Sequence, residues 1–336
     1  MKKLNAAVIG CGAISERHLE AIVKAGAEIA CVADIDERKA KKTAEKYKCR
    51  FYCDYHEMLK DSQVDVVHIL TPHYLHAKMA IDSMKSGVHV LTEKPMATSI
   101  EDAEKMIDVS RETGRMLGVC FQNRYNPTSL KAKEIIESGK AGQILGAKAW
   151  VTWHRDETYY TQSDWRGSWE KEGGGVLINQ AIHTLDLIQW FMGDLARLKG
   201  SYYTSLLENT IEVEDTADAV IQFKNGTTAL FFASNCYPVN SPVSIEIVLS
   251  KAVIRLESVL TVTWNDGKTE HYSDEDLVSG DKFYWGVSHK RLIADFYNKI
   301  LSGEKFELDG NEGIKALKMV KAIHRSSETN AWIDLG

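Results

Sequence analysis

The sequence predicts an α/β protein of two domains, a doubly wound N-terminal domain followed by an α+β domain with a large, mostly antiparallel, open-faced sheet. Its 336 residues are about twice the length of a typical domain. Over the first 120 residues, short apolar runs alternate with helix-length segments, which indicates a parallel sheet with crossover helices. Beyond about residue 125 the pattern changes to alternating strands joined by hairpin signals.

The first domain is predicted from five strands and four helices. Continuous apolar runs indicate parallel strands buried on both faces, and these runs are 6–9, 29–33, 64–70, 88–91 and 116–121. Segments rich in Ala, Glu and Lys lie between them, at 13–25, 36–47, 73–86 and 99–113. Strand–helix–strand repetition of this kind predicts right-handed crossovers around one sheet.

The second domain is predicted from strands in which apolar and polar residues alternate. Alternate residues of the segment 145–154 share an apolar face, namely Leu145, Ala147, Ala149, Val151 and Trp153. Hairpins are expected at Asn225-Gly226, between 219–223 and 228–233, and at Asp266-Gly267, between 261–264 and 268–272. One sheet face should be covered by helices. The other, open and rich in aromatic residues, predicts a homodimer or homotetramer.

Two helices are expected at the C-terminal end, around 289–302 and 310–326. We expect the second, within about 309–328, to pack back on the first domain. The first domain is therefore placed at 1–123 and the second at 124–308.

Composition argues against several functional classes. A net charge of −6 argues against nucleic acid as a main partner. No apolar run approaches the roughly 18 residues needed to cross a bilayer. The six cysteines contain no C-x-x-C pair, which favours free thiols in a reducing cytoplasm over a disulfide framework or a zinc site. We expect a cytoplasmic protein with no membrane partner and no bound metal.

A glycine-rich turn, Gly10-Cys11-Gly12-Ala13-Ile14-Ser15, lies between the first strand and the first helix. Glycine there lets backbone N–H groups approach a pyrophosphate at the helix N-terminus. Asp34 ends the second strand, where a carboxylate accepts hydrogen bonds from ribose hydroxyls and repels a 2′-phosphate. This pattern favours NAD over NADP. The alternative is a glycine turn that binds no dinucleotide.

Two further segments follow predicted strands at the ligand-binding edge of the sheet. Thr92-Glu93-Lys94-Pro95 follows the strand 88–91. The Lys94 ammonium could stabilise an alkoxide at the nicotinamide, or it could be a surface lysine in a loop. Thr71 and His76 follow the strand 64–70. His76 either lines the cofactor cleft or only occupies the first turn of a helix.

A helix is predicted from Val176 to Phe191, opened by Gly173-Gly174-Gly175. Four of its polar residues form one stripe: Asn179, His183, Asp186 and Gln189. An imidazole is a common general base for a hydroxyl near neutral pH, and Asp186 could orient His183. The alternative is a hydrogen-bonded core histidine.

Together these residues resemble the Gfo/Idh/MocA family, the group of glucose–fructose oxidoreductase and inositol dehydrogenase. The markers are Gly10-x-Gly12, Asp34, Thr71-Pro72 with His76, Glu93-Lys94-Pro95, Gln122-Asn123-Arg124, Trp165-Arg166-Gly167, and the triglycine through His183 to Asp186. The resemblance covers nearly the whole chain. It implies an N-terminal Rossmann domain, an open C-terminal sheet at an oligomer interface, and NAD(P)-dependent oxidation or reduction of a hydroxyl on a sugar, polyol or sugar nucleotide.

The resemblance also implies roles by position. Lys94 and His183 take the catalytic roles. The implied cofactor contacts are Gly10, Cys11, Gly12, Ala13, Ile14, Asp34, Thr71, His76, Glu93, Lys94, Gln122, Trp165 and Arg166. The implied substrate contacts are Arg124, Tyr125, His154 and Asn179. Many sugar and inositol dehydrogenases of the family have aspartate at the position of Asn179. Asparagine there is similar to the family's sugar-nucleotide 3-dehydrogenases, which act on UDP-linked amino sugars.

The resulting hypothesis is a dehydrogenase in which His183 removes the hydroxyl proton while Lys94 steadies the oxygen. It requires these two side chains to converge on one substrate. Two alternatives stay open. The first is an NAD-dependent glycosidase that oxidises its sugar transiently, eliminates the substituent and re-reduces the sugar, with no net redox change. The second is a non-catalytic sensor of sugar or NAD.

Overall fold

A computed structural model describes residues 3–60, 63–274 and 288–336 of the chain. The chain forms two compact units. The first comprises Met1–Gln122 and Ser288–Ile314, and the second comprises Asn123–Val287 and Lys315–Gly336. None of the helices in the described ranges combines the length and the apolar character that a bilayer crossing would need.

The chain begins with strands and helices in strict alternation. They are β1 (Asn5–Ile9), α1 (Ser15–Lys24), β2 (Glu28–Ala33), α2 (Glu37–Tyr47), β3 (Arg50–Tyr52), α3 (Tyr55–Leu59), β4 (Val66–Ile69), α4 (His73–Lys85), β5 (His89–Thr92), α5 (Ile100–Thr113) and β6 (Leu117–Val119). A 3₁₀ turn, Gln122–Tyr125, then leads to α6 (Pro127–Glu137), β7 (Ile144–Thr152), α7 (Glu157–Thr161), α8 (Val176–Asn179), α9 (Ile182–Met192), β8 (Leu195–Tyr203), β9 (Thr216–Phe223) and β10 (Thr228–Ser234). The remaining elements are β11 (Ser244–Leu249), β12 (Ala252–Leu256), β13 (Val259–Trp264), β14 (Thr269–Ser273), α10 (His289–Ser302), α11 (Gly310–Thr329) and β15 (Ile333–Asp334).

The sheet of the first unit is parallel and doubly wound, as predicted. In the described residues it has six strands in the order β3-β2-β1-β4-β5-β6. The order reverses between β1 and β4, so their carboxyl ends open a crevice at the point where such sheets bind ligands. All five predicted strands and four predicted helices are present. β3 and α3 were not predicted, because three and five residues are too few to establish a period.

Helix α10 completes the first unit although it follows the second unit in sequence. Its buried face packs against α1. The ring of Phe296 fills the space above Gly118 of β6, where an added Cβ would lie 2.8 Å from a ring carbon. A side chain at position 118 would therefore displace the helix from the sheet.

The sheet of the second unit is mostly antiparallel, as predicted. Its nine strands, counted over the described residues, run β14-β13-β12-β11-β7-β10-β9-β8-β15. The β7–β10 pair is parallel. Both predicted hairpins are present, at Asn225-Gly226 between β9 and β10 and at Asp266-Gly267 between β13 and β14. Helices α6, α8 and α9 pack against one face.

The opposite face of this sheet carries exposed apolar side chains. Leu230 is 56% exposed and Trp150 is 37% exposed, whereas Ala149 on the helix side is 1% exposed. The predicted apolar face of β7 is wrong at Leu145, whereas Thr152 keeps its predicted face but is buried. Leu145 is 60% exposed, because the register shifts between Val248 and Leu249 and leaves Leu145 as the extra residue of a bulge. Thr152 is buried under the loop whose Ser241 N–H bonds to its carbonyl oxygen.

The single helix predicted from Val176 to Phe191 is also wrong, because the structure has two. The break falls at Gln180 and Ala181, where the Ala181 N–H donates to the Val176 carbonyl five residues back, at 2.8 Å. The side chain of Gln180 bonds to Tyr159 and accepts from Asn235. Asn179 therefore ends α8 and His183 lies in the first turn of α9, so they do not share one helical stripe.

Candidate active site

The glycine turn of the first unit has the geometry of a phosphate-binding turn. Gly10 has φ of +99°, and an added Cβ there would lie 2.7 Å from the Leu70 carbonyl oxygen, so other residues are excluded. Ser15, at the third glycine position, is buried and its hydroxyl donates to the Gly12 carbonyl at 2.7 Å. Gly12 and Ala13 are exposed just ahead of α1. The backbone N–H groups of this helix start suit an anionic ligand.

Asp34 directly follows β2 and lies beside this turn. Its carboxylate accepts hydrogen bonds from the backbone N–H of Cys11 at 2.7 Å and of Asp36 at 2.9 Å. The side chain is half-buried. The carboxylate and the turn are therefore held together as one rigid group at the carboxyl edge of the sheet, and the residues fit a dinucleotide.

His76 connects the two predicted loops that follow β4 and β5. One ring nitrogen lies 2.8 Å from the Thr71 carbonyl oxygen and the other lies 2.7 Å from the Pro95 carbonyl oxygen. His76 is buried in the first turn of α4, and burial lowers the pKa of its imidazole. A neutral imidazole has one N–H, so the ring donates to one of these two carbonyl oxygens and packs against the other.

Lys94 and Glu93 leave the end of β5 in different environments. Lys94 is half-buried. Glu93 is buried, with its carboxylate 3.0 Å from His18 Nε2 and 3.7 Å from His289 Nε2. Burial acts to raise the pKa of Glu93, but the two imidazoles outweigh it and hold the pKa well below the usual range. Glu93 is predicted to contact the cofactor, as is Gln122, which is buried after β6. Both contacts stay predictions.

The triglycine segment of the second unit allows a close backbone approach. A Cβ on Gly175 would lie 1.9 Å from the Glu214 carbonyl oxygen. Glu214 in turn accepts hydrogen bonds at the start of α8, from Val176 N–H to its carbonyl at 2.9 Å and from Leu177 N–H to its carboxylate at 3.1 Å. This contact fixes the entry to α8, and His183 follows at the start of α9, half-buried.

Asn179 contacts two residues that sequence reasoning missed, Glu172 and Tyr159. Its amide donates to the Glu172 carboxylate at 2.6 Å and lies 3.4 Å from the Tyr159 hydroxyl. Glu172 also accepts from the Gly167 N–H at 2.6 Å. Burial raises the pKa of Glu172 to about 7, against the effect of these two hydrogen bonds. The only feature of the sequence that could have indicated Glu172 is its place directly before three glycines.

Arg124 and Asp186 form a buried ion pair in the second unit. The guanidinium donates to the two carboxylate oxygens at 2.8 and 2.6 Å and also lies 3.4 Å from Gln189. The expected place of Asp186 beside His183 and of Arg124 in a substrate pocket both rested on sequence position. In the structure Arg124 and Asp186 instead form an ion pair with each other.

The other predicted residues of the second unit lie in more open positions. His154 is exposed, and its ring nitrogen lies 2.9 Å from the Tyr237 carbonyl oxygen. Arg166 is half-buried, with its guanidinium 4.6 Å from the ring centre of Tyr159 and 4.8 Å from that of Trp165. Tyr125 is half-buried in the 3₁₀ turn.

A surface cleft of about 450 Å³ in the first unit lies at a different edge. It is lined by residues at the amino ends of β5 and β6, including His89 and Met116. The glycine turn and Lys94 lie at the carboxyl ends, so this cleft contains none of the predicted site residues.

Comparison with known proteins agrees with this arrangement. Residues 4–121 match the model of an oxidoreductase family with an NAD-binding Rossmann fold, and residues 129–255 match the GFO/IDH/MocA C-terminal domain. The structure of the WlbA dehydrogenase from Bordetella pertussis, in complex with NADH and UDP-GlcNAcA, is 30% identical with a TM-score of 0.87, covering 100% of this chain and 99% of that one. The chain belongs to the Gfo/Idh/MocA family.

Two further proteins are similar to this chain. Inositol 2-dehydrogenase of Salmonella typhimurium is 28% identical over 305 residues, 89% of this chain and 87% of that protein. Levoglucosan dehydrogenase in complex with NADH is 22% identical with a TM-score of 0.90 over the full length of both chains; it shows the shared fold. The chain is accordingly a dehydrogenase or reductase of this family with an NAD-binding Rossmann fold.

Proposed function

We propose that the protein is an NAD-dependent dehydrogenase of a sugar, polyol or sugar nucleotide, with a nucleotide-linked sugar as the favoured substrate. One observation carries the proposal. Lys94, the glycine turn and Asp34 all lie at the carboxyl edge of the first sheet, where the strand order reverses. Such an edge is where a dinucleotide and its substrate bind in this fold.

The preference for NAD over NADP rests on Asp34. Its carboxylate is fixed to the glycine turn by the Cys11 N–H, at the end of β2, where a carboxylate accepts hydrogen bonds from ribose hydroxyls in this fold. A 2′-phosphate would place a second anion against it. NAD, when bound, accepts a hydride from the carbon that bears the reacting hydroxyl.

Two residues of the chain act on the proton and the oxygen of the reacting hydroxyl. His183 takes the hydroxyl proton as a general base, a role that suits an imidazole near neutral pH. The Lys94 ammonium donates a hydrogen bond to the same oxygen and stabilises the negative charge that develops there. His76 positions Lys94 indirectly, because its ring nitrogen lies 2.7 Å from the carbonyl oxygen of Pro95, the next residue in the chain.

The substrate class is inferred from Asn179 and from similarity to WlbA. WlbA is 30% identical over its length and was solved with UDP-GlcNAcA. Asn179 cannot titrate and is bonded to Glu172, so it can bind a substrate hydroxyl but cannot exchange its proton. A binding role of this kind fits a substrate held by several polar contacts, as a nucleotide sugar is.

A screen of UDP-sugars, aldoses and inositols with NAD⁺ and with NADP⁺, followed by absorbance of the reduced nicotinamide, tests the proposal. We expect NADH formation with a UDP-linked sugar and much less with NADP⁺. A glycoside that is cleaved while no NADH accumulates would select the glycosidase alternative. Binding of NAD with no turnover across the panel would select the sensor.

We also propose that the protein is a cytoplasmic homodimer or homotetramer assembled through the open face of the second sheet. None of the six cysteines, all of which lie in the described residues, forms a disulfide, which suits a reducing compartment. On the open face, Phe232 pairs with Trp150 across neighbouring strands and Leu230 lies two residues away. An exposed apolar patch of this kind is typical of a self-association surface.

A further inference from the structure

Four side chains that could bind a metal meet in the interior of the first unit. They are His18 of α1, Glu93 after β5, Cys120 after β6 and His289 of α10, and we call them the His18 cluster. One ligand atom from each, two imidazole nitrogens, a carboxylate oxygen and a thiol sulfur, lie within 4.8 Å of one another. All four residues are buried, with exposures of 0% for His18 and Cys120, 4% for His289 and 8% for Glu93.

The separations suit a small tetrahedral ion. Bonds of about 2.0 Å to nitrogen and oxygen and about 2.3 Å to sulfur place neighbouring ligands roughly 3.3–3.8 Å apart. The Glu93 carboxylate lies 3.0 Å from His18 Nε2 and 3.7 Å from His289 Nε2. Small side-chain shifts would therefore admit an ion among the four atoms.

Charge favours a divalent cation at this place. A carboxylate is costly to bury in a protein interior unless its charge is balanced. With two neutral imidazoles, a carboxylate and a thiolate as ligands, a divalent ion makes the His18 cluster neutral. Nitrogen and sulfur ligands in a tetrahedral set favour zinc over magnesium or calcium, which prefer oxygen ligands.

The surroundings of His18 also match those of a metal-binding histidine. Its other ring nitrogen lies 2.9 Å from His68 Nδ1, and His68 Nε2 lies 2.7 Å from the Tyr297 hydroxyl. If Nε2 of His18 binds the ion, its Nδ1–H donates to His68 and the Nε2–H of His68 donates to Tyr297. Histidine ligands are usually oriented by a hydrogen bond of this kind.

We propose that the His18 cluster is a structural zinc site. The four ligands come from positions 18, 93, 120 and 289, so no spacing along the chain could reveal it. The ion would link α10 to the sheet that it joins late in the sequence. It would also fix Glu93 and thereby the backbone next to Lys94. The proposal is independent of the substrate and of the proposed reaction.

The test is the metal content of the purified full-length chain, measured by inductively coupled plasma mass spectrometry. We expect about one zinc ion per chain, as in a closed four-ligand site, and its loss in Cys120→Ala and in His289→Ala. Cys31→Ala, a change at a buried cysteine of β2 outside the cluster, should keep the ion. Wild-type protein reconstituted with Co²⁺ should show a thiolate-to-cobalt charge-transfer band that Cys120→Ala lacks.

The wild-type protein alone can overturn the proposal, so the test does not depend on variants that fold. A wild-type chain that contains no zinc, takes up no Co²⁺ and has the same thermal midpoint with and without added Zn²⁺ would show that the cluster is a hydrogen-bonded network. In that network the Glu93 carboxylate would keep its hydrogen bond with His18 Nε2. Zinc retained in both Cys120→Ala and His289→Ala would place the ion elsewhere and reject the site.

Discussion

The side-chain amide of Asn179 donates a hydrogen bond to the Glu172 carboxylate at 2.6 Å. Glu172 is 1% exposed, and burial raises its pKa to about 7. Asn179, which carries no charge, is therefore bonded to a carboxylate that gains its proton near neutral pH. The pH therefore sets the charge beside Asn179. Glu172, which carries that charge, lies outside the family motifs named in the sequence analysis.

Replacement of Glu172 by Gln should remove a pH dependence of stability. Because the pKa is raised from 4.5 to about 7 in the folded state, the stabilising effect of the bound proton is complete below 4.5 and is lost as pH rises through 7. The wild-type free energy of unfolding should fall by about 3 kcal/mol across that window relative to Glu172→Gln. Urea unfolding of both proteins at pH 5 and pH 8 measures it, and parallel changes in the two would contradict the assignment.

His183→Ala should lower kcat by about 10²–10⁴-fold, the usual contribution of a proton-transfer group. Lys94→Ala should lower kcat by about 10²–10³-fold, the usual cost of losing one donor to a developing oxyanion. Binding of NADH, followed by its fluorescence, should be nearly unchanged. Lys105→Ala is a matched control, since that lysine lies on the exposed face of α5 and pairs with Asp102. Unchanged turnover in both test variants would reject the two catalytic roles.

Asp34→Asn should reduce the preference for NAD. The variant loses the charge that binds ribose hydroxyls and weakens the bond to the Cys11 N–H. Hydrogen bonds to a charged group contribute roughly 1.5–3 kcal/mol, so kcat/KM with NAD⁺ should fall about 10- to 100-fold. The value with NADP⁺ should stay constant or rise. Asp102→Asn on α5 should leave the ratio of the two values unchanged, and an equal fall with both cofactors in Asp34→Asn would count against the role.

Asp186→Ala should strongly destabilise the second unit. It leaves the buried guanidinium of Arg124 without its carboxylate partner, and breaking a buried ion pair costs about 3–5 kcal/mol. The double variant Asp186→Leu with Arg124→Met should recover much of that loss in thermal midpoint, because it removes both charges. Asp108→Ala breaks the exposed pair with Arg111 and should change the midpoint little. If the double variant is no more stable than Asp186→Ala, the pair has a further role.

Leu230→Glu on the open face of the second sheet should shift the protein toward a smaller assembly. The new carboxylate would face an apolar partner surface and remain unpaired there. Leu301→Glu, at a position 47% exposed on α10, is the matched control and should leave the assembly intact. Analytical ultracentrifugation of both variants measures the change. A monomeric wild type would show that this face is not an interface.

Much of the fold could be predicted because it depends on local patterns. Apolar runs and glycine turns identify the buried strands of the first sheet, and Asn225-Gly226 identifies a hairpin without any knowledge of the rest. The break between α8 and α9 could not be predicted. It depends on Gln180 bonding to Tyr159 and Asn235, and these residues lie far from each other in the sequence.

The candidate site was predictable to the extent that its motifs are local. The glycine turn, Asp34 and Lys94 each lie next to a strand end that the sequence identifies. The partners of the second unit were not predictable, because the carboxylate of Asp186 could equally have faced His183. Only tertiary packing pairs it with Arg124, and the same is true of Glu172 and Asn179.

The first unit is made from two stretches of chain, Met1–Gln122 and Ser288–Ile314. During synthesis, the ribosome must therefore make the entire intervening sequence before α10 can cover α1. Until then the apolar surface that receives Phe296 is exposed on the nascent protein. We expect fragments that end near residue 122 to aggregate or to require chaperones, and a separately supplied α10 peptide to improve their recovery.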